Sequence, residues 1–240
     1  MKRETLTVCG RECIVCCGAQ PKVILIQPTG AHEQGALDAQ LALLERRCGD
    51  GFLLAAFPVT DWNRELSPWD APPAFGKEAF GHGTAETLAF IELELLPMLL
   101  RQYDLPEELP VILGGYSLAG LFSLWSAFQT DRFAAVAAAS PSVWFPGWLD
   151  FAHQGTILAK HVYLSLGDRE EKTKNAVMAQ VGACIRALEQ LLREKGVDCV
   201  LEWNPGNHFR DAEKRTAAAF AWCVERTQSR LSALKDADRN

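Results

Sequence analysis

Ser117 stands in Leu113-Gly114-Gly115-Tyr116-Ser117-Leu118-Ala119-Gly120, after the apolar run Pro110 to Leu113 and before the amphipathic run Leu121 to Phe128. This order predicts a strand, a sharp turn at the serine and then a helix. A serine on such a turn has strained backbone, so only very small side chains fit two residues to either side. Gly115 and Ala119 hold those positions, and Gly120 lets the new helix come close to the sheet. The strict pattern G-x-S-x-G reads G-x-S-x-A-G here, with a methyl where a larger side chain would not fit. The turn exposes the hydroxyl and sets the N–H of Leu118 and a helix N-terminus behind it. Those are the requirements of a nucleophile whose attack creates an oxyanion.

A serine hydroxyl becomes nucleophilic only with a base and, usually, an acid that orients the base. In a strand–turn–helix site of this kind the order is nucleophile, acid, histidine, the latter two in loops after late strands. The chain has five histidines. His161 begins a predicted strand, His153 lies in a polar stretch, and His32 precedes the elbow. His208 alone of these follows a late predicted strand, Val197 to Trp203, in the loop Asn204-Pro205-Gly206-Asn207-His208-Phe209. The acid is expected in Gly167-Asp168-Arg169-Glu170-Glu171, after the predicted strand His161 to Leu166. The glycine lets the chain turn, and about three residues later a carboxylate can face back toward the sheet edge, which favours Glu170. Asp168 is the alternative acid, Glu171 comes after it, and a Ser-His dyad without an acid stays open.

Two further loops are expected to shape the site. Pro28-Thr29-Gly30-Ala31-His32 follows the predicted strand Val23 to Gln27, where a second oxyanion donor belongs; Thr29, Gly30 and Ala31 each offer an N–H. Residues 58–83 form a long irregular stretch, yet Trp62, Trp69, Phe75 and Phe80 are too apolar for disorder. They predict an ordered pocket wall in which Trp62 and Trp69 meet an acyl or aromatic group and Asn63 and Arg64 a polar one. The alternative is that the aromatics only pin the loop. Tyr116, beside the serine, and Trp144, in Ser140-Pro141-Ser142-Val143-Trp144, complete the expected substrate-binding set.

The supporting elements alternate. An N-terminal hairpin (Thr5 to Cys9, Glu12 to Cys17) leads into the strand at Val23. A helix Ala36 to Cys48, a strand Phe52 to Phe57 and a helix Thr84 to Leu100, bent or ended by Pro97, follow. After the elbow come the strand Ala134 to Ala139, the two late strands, and helices near 172–195 and 211–234. This alternation predicts an α/β fold, a doubly wound, mostly parallel sheet with an antiparallel hairpin at its start. At 240 residues one domain is expected, with little length left for a separate lid domain.

Composition excludes several classes. A formal net charge of −6 argues against a nucleic-acid partner. No apolar run approaches the ~18 residues of a membrane span, and Met1 to Thr5 lack the apolar segment of an export signal. Cys9-x3-Cys13-x2-Cys16 matches the spacing that radical-SAM enzymes use for an iron–sulfur cluster. In an extended run, however, Cys13 and Cys16 point to opposite faces, with Ile14 and Val15 as core residues between them. The eight cysteines are therefore expected to be reduced, partly buried thiols, with no metal or organic cofactor, in the cytoplasm.

The segments Gly-Tyr-Ser-Leu-Ala-Gly, Leu-Gly-Asp-Arg-Glu-Glu-Lys-Thr-Lys-Asn and Gly-Asn-His together resemble the esterase branch of the α/β-hydrolases. That branch includes esterase D-like and enterochelin esterase-like proteins. The resemblance covers most of the chain, and Asp61 to Trp69 is similar to a segment of a small group of bacterial members. It implies an α/β-hydrolase fold and serine-dependent cleavage of a small-molecule ester, with Ser117, His208 and Glu170 carrying the chemistry. An acyltransferase using the same residues, and a non-catalytic binding protein on this fold, are the competing expectations.

Overall fold

The structure is a computed structural model and describes residues 1–30, 34–74 and 76–237. In chain order the elements are β1 (Lys2–Val8), β2 (Arg11–Cys17), β3 (Ile24–Thr29), α1 (Leu37–Cys48), β4 (Leu53–Pro58), α2 (Trp62–Glu65), α3 (Thr84–Phe90), α4 (Leu96–Gln102), β5 (Val111–Tyr116), α5 (Leu118–Ser126), β6 (Phe133–Ala139), α6 (Trp148–Gln154), β7 (His161–Gly167), α7 (Val181–Glu194), β8 (Asp198–Asn204) and α8 (Ala212–Ala237). They build one sheet in the order β1-β2-β4-β3-β5-β6-β7-β8. The strands β3 to β8 run parallel, while β1 and β2 pair antiparallel with each other and β2 with β4. The doubly wound sheet with a leading hairpin agrees with the sequence. Parallel neighbours deliver the loops after β3, β5, β6, β7 and β8 to one edge, the place where such sheets bind ligands.

Two apolar layers sandwich the sheet. One holds α1 and α8 through Leu37, Leu44, Ala217, Phe220 and Val224. The other holds α3 to α7, through residues such as Leu88, Leu99, Phe122, Trp148, Ile185 and Leu188. The α7 residues Val181, Ile185, Leu188 and Leu192 recur at helical spacing, which is why this stretch folds as a helix with one buried stripe. Small residues bring α8 close: a Cβ on Gly114 would lie 2.6 Å from Ala137 Cβ and 2.7 Å from Phe220 Cζ. Gly114→Ala is therefore expected to cost about 1–3 kcal/mol by overpacking, read as a lower urea midpoint at unchanged slope.

Three features depart from the sequence expectations, and a fourth agrees with them. Pro97 does not end the helical run. The backbone widens to a π turn over Ile91–Leu95, with the Leu96 N–H donating to Ile91 O, and the helix resumes through Gln102. The widening sits where proline withholds the ordinary helical donor. The helix expected from residue 172 begins only at Val181. Ahead of it, the Asn175 side chain accepts from the N–H groups of Val177 and Met178, and its amide donates to Ala74 O. Those side-chain bonds compete with helix. The seven-residue α6 was not expected, being short and headed by Pro146-Gly147. Residues 58–83 are ordered where described. Asp61 caps α2 by accepting the Arg64 N–H, Ala71 and Phe80 form a bridge, and Glu65 gathers Thr60, Asp61 and Arg11.

Cys13 lies in one apolar layer and Cys16 in the other, on opposite faces of β2. All eight cysteines are unpaired, and burial pushes the Cys13 thiol up to about 11. No helix among the described residues is long and apolar enough to cross a membrane.

Candidate active site

The turn between β5 and α5 forces Ser117 to φ 59° and ψ −121°, a left-handed conformation that costs a non-glycine residue about 1–3 kcal/mol. A Cβ on Gly115 would come within 2.5 Å of Ala119 Cβ, and one on Gly120 within 3.1 Å of Pro141 Cβ. The small residues of the motif thus make room for the turn itself. Leu118 opens α5, so its N–H has no carbonyl of a preceding turn to bond.

The side chains that meet at the turn come from three strand ends. His208, in the loop after β8, places Nε2 3.1 Å from Ser117 Oγ. Its Nδ1 lies 2.7 Å from Glu170 Oε2, on the 3₁₀ turn Glu170–Lys172 that follows β7. Asp168 does not face the histidine; its Oδ1 accepts the Gly206 N–H at 2.7 Å and ties the two loops together. Glu171 turns outward to Arg186. Of the carboxylates expected here, only Glu170 is in contact with His208.

Glu170 is buried, and burial alone would raise its carboxyl. The bond and charge of His208, with the Gly167 N–H and the Ser140 hydroxyl, hold it below the ordinary carboxylate range instead. It therefore stays ionised at neutral pH. Tyr116 is also buried, and burial followed by the Glu170 charge pushes its hydroxyl up to about 12. Kept protonated, it donates to the His208 carbonyl at 2.7 Å. Tyr116 thus braces the histidine from beneath, its hydroxyl spent on the protein rather than presented to a ligand.

A cleft of about 250 Å³ opens beside His208 and Glu170, lined in part by Pro141, Trp144, Arg169, Lys172, Met178 and Phe209. Trp144 is thus where the sequence expected it. Trp62 and Asn63 are not; they line a different hollow with Asp61, Arg64 and His82. Trp69 is an anchor. Its indole N–H donates to Pro146 O at 2.8 Å and its rings pack on Phe145 and Phe151. The insertion is therefore clamped to the segment around α6, which takes both tryptophans out of the cleft. Thr29 ends β3, next to the elbow strand, with its hydroxyl donating to Phe57 O; Gly30 is buried beside it. Ala31 and His32 lie outside the described residues.

A family model described as "Putative esterase" matches residues 21–212. The chain belongs to that family. No curated protein matches the sequence. Among solved structures, an IroE-like serine hydrolase from Shewanella oneidensis is similar at 18% identity and TM-score 0.74, over 92% of this chain and 78% of that one. The siderophore hydrolase EstA from Aspergillus nidulans is similar at 20% identity and TM-score 0.68, over 93% and 94%. The enterobactin and salmochelin hydrolase IroE follows at 16% and 0.61, over 91% and 93%. At these identities the likeness establishes the α/β-hydrolase fold. Family membership makes the chain an esterase.

Sequence reasoning missed three residues of this esterase site. Ser142 Oγ lies 3.3 Å from Ser117 Oγ, and its N–H donates to Ser117 O. Ser140, at φ 42°, donates to Glu170 Oε1 at 2.8 Å. Arg215 reaches the same oxygen from α8 at 2.8 Å. One signal was available for Arg215: a cation at the head of the apolar stripe Ala219 and Cys223, one and two turns on.

Proposed function

We propose that this esterase works through an acyl-enzyme on Ser117, with His208 as general base and acid and Glu170 as the residue that orients it. The carrying observation is the unbroken hydrogen-bond chain from Ser117 Oγ through His208 to Glu170, on a serine held at positive φ. His208 takes the Ser117 proton at Nε2 as the oxygen attacks the ester carbonyl carbon. The resulting oxyanion is met by the N–H of Leu118 and by a backbone N–H from the loop that follows β3. Collapse breaks the bond to the alkoxide, which leaves with the proton from His208. Water then repeats the sequence and frees the acid and the serine. The chemistry belongs to side chains and backbone, with a small-molecule ester as substrate and Trp144 on the cleft wall. Eight unpaired cysteines suit a reducing compartment, and we place the protein in the cytoplasm.

The test is a fluorophosphonate probe read by intact mass on the wild type, Ser117→Ala and His208→Ala. One adduct on the wild type and none on either variant is the expected result, followed by turnover of a panel of carboxylic esters. Adduct that survives Ser117→Ala would assign the nucleophile elsewhere. A folded wild type that takes no adduct would remove the acyl-enzyme reading.

A further inference from the structure

Arg215 stands near the head of α8 with 1% of its surface exposed. Holding a guanidinium out of water has a cost that its hydrogen bonds must offset; Nε has no partner among the described residues, and the two terminal nitrogens make all the bonds. Here Nη1 donates to Glu170 Oε1 at 2.8 Å and lies 3.1 Å from both the Ser140 and Tyr116 hydroxyls. Nη2 donates to Pro205 O at 3.2 Å and to Asn207 O at 3.1 Å. Those two carbonyls belong to the turn that carries His208, and Tyr116 donates to the His208 carbonyl itself. The contact between the acid and the histidine uses only Oε2 of Glu170. Arg215 therefore holds the far oxygen of the acid with one nitrogen and the histidine turn with the other. It also lies beyond the residues that the family model matches.

Building on the triad reading above, we propose that Arg215 is a positioning residue: its guanidinium sets the distance between Glu170 and His208 and supplies the counter-charge behind the acid. The planar fork is what allows both at once. A lysine ammonium is a point charge and cannot reach the carboxylate and the turn carbonyls together. Other titratable and charged groups surround the pair. Tyr116 faces it from β5, Arg169 and Lys172 line the cleft beside it, and Asp168, turned away, holds the Gly206 N–H of the histidine loop. Arg210, Asp211 and Lys214 precede Arg215, with Asp211 bonded to both neighbouring cations. Among the described residues, Arg215 is the permanent cation within hydrogen-bond distance of Glu170.

The test measures the second-order rate of fluorophosphonate labelling across about pH 5 to 9, with thermal melts, for the wild type, Arg215→Gln and Arg215→Lys. Without the counter-charge, less opposes a positive charge arriving beside Glu170. In Arg215→Gln the acid limb of the profile is therefore expected to move up by about one pH unit, and the plateau to fall about a hundredfold as alignment is lost. Arg215→Lys keeps the charge but not the fork, so its limb stays in place while its plateau falls about tenfold. Loss of folded protein alone would lower amplitudes without moving the limb. A limb unmoved in Arg215→Gln, or moved in Arg215→Lys, overturns the proposal, as does a wild-type plateau in Arg215→Lys. If Arg215→Gln does not fold, Arg215→Lys decides by the same criteria. A wild type that takes no label overturns the triad reading and this proposal with it, whereas a reactive wild type with indifferent variants overturns this one alone.

Discussion

Ser117→Ala is expected to lower ester hydrolysis by about 10⁴- to 10⁶-fold and leave the melting temperature unchanged, while Ser117→Gly is equally inactive but melts higher. Both remove the hydroxyl that His208 Nε2 approaches at 3.1 Å. Only the second relieves the backbone, because alanine at φ 59° carries the same Cβ penalty as serine. The strain is worth about 1–3 kcal/mol, and glycine returns about 0.5–1 kcal/mol of it as extra freedom in the unfolded chain. The net gain of about 1 kcal/mol corresponds to about 2–4 °C in a chain of this size. Calorimetry alongside a p-nitrophenyl ester assay separates the two effects. If Ser117→Gly melts at or below Ser117→Ala, the elbow is not storing strain.

Glu170→Gln changes few atoms and is expected to lower turnover by about 10³- to 10⁴-fold. An amide at this position presents either its N–H₂ or its oxygen to His208 Nδ1. The first arrangement forces Nε2 to carry the proton, the wrong tautomer for a base, and neither supplies the negative charge that balances an imidazolium. The same change leaves Arg215 buried without its carboxylate, which costs about 3–5 kcal/mol. The pH dependence follows from the direction of the Glu170 shift. A carboxyl lowered in the folded state contributes stability that is fully present above its unfolded value, near 4.3, and is lost as pH falls through the folded value. The melting-temperature gap between wild type and Glu170→Gln should therefore be widest near neutral pH and close below about pH 4. A gap that stays constant down to pH 3 would mean that Glu170 does not titrate with folding.

Much of the site could be read from residues because elbow chemistry is local. Gly115, Ser117 and Ala119 sit within one turn of chain, and the turn's sterics dictate their sizes. His208 could be picked out by topology, since it alone of the histidines weighed follows a late strand in a glycine-bearing loop. Glu170 needed one geometric step, the turn after Gly167, and the structure agrees with that step. What the sequence hides is long-range. Arg215 and Ser140 reach Glu170 from elements 45 and 30 residues away, and nothing local in the sequence names Glu170 as the partner of either. Trp62 and Trp69 have the composition of a pocket wall. Which surface they cover depends on a bond from Trp69 to Pro146, 77 residues on. The late start of α7 likewise depends on Asn175 finding Ala74 across the fold.

The placement of Arg215 also sets a schedule. Ribosomes deliver the strands in order, so nucleophile, acid and histidine are all synthesised before the residue that braces them. On the positioning role proposed for Arg215, a nascent chain that has folded the sheet through β8 would hold its serine with a loosely placed base until α8 docks. Docking of α8 closes the apolar layer containing Ala217 and Phe220 and brings Arg215 to Glu170 in one event. Full reactivity is thus gated by completion of the core, and an incompletely folded chain is a poor esterase by construction.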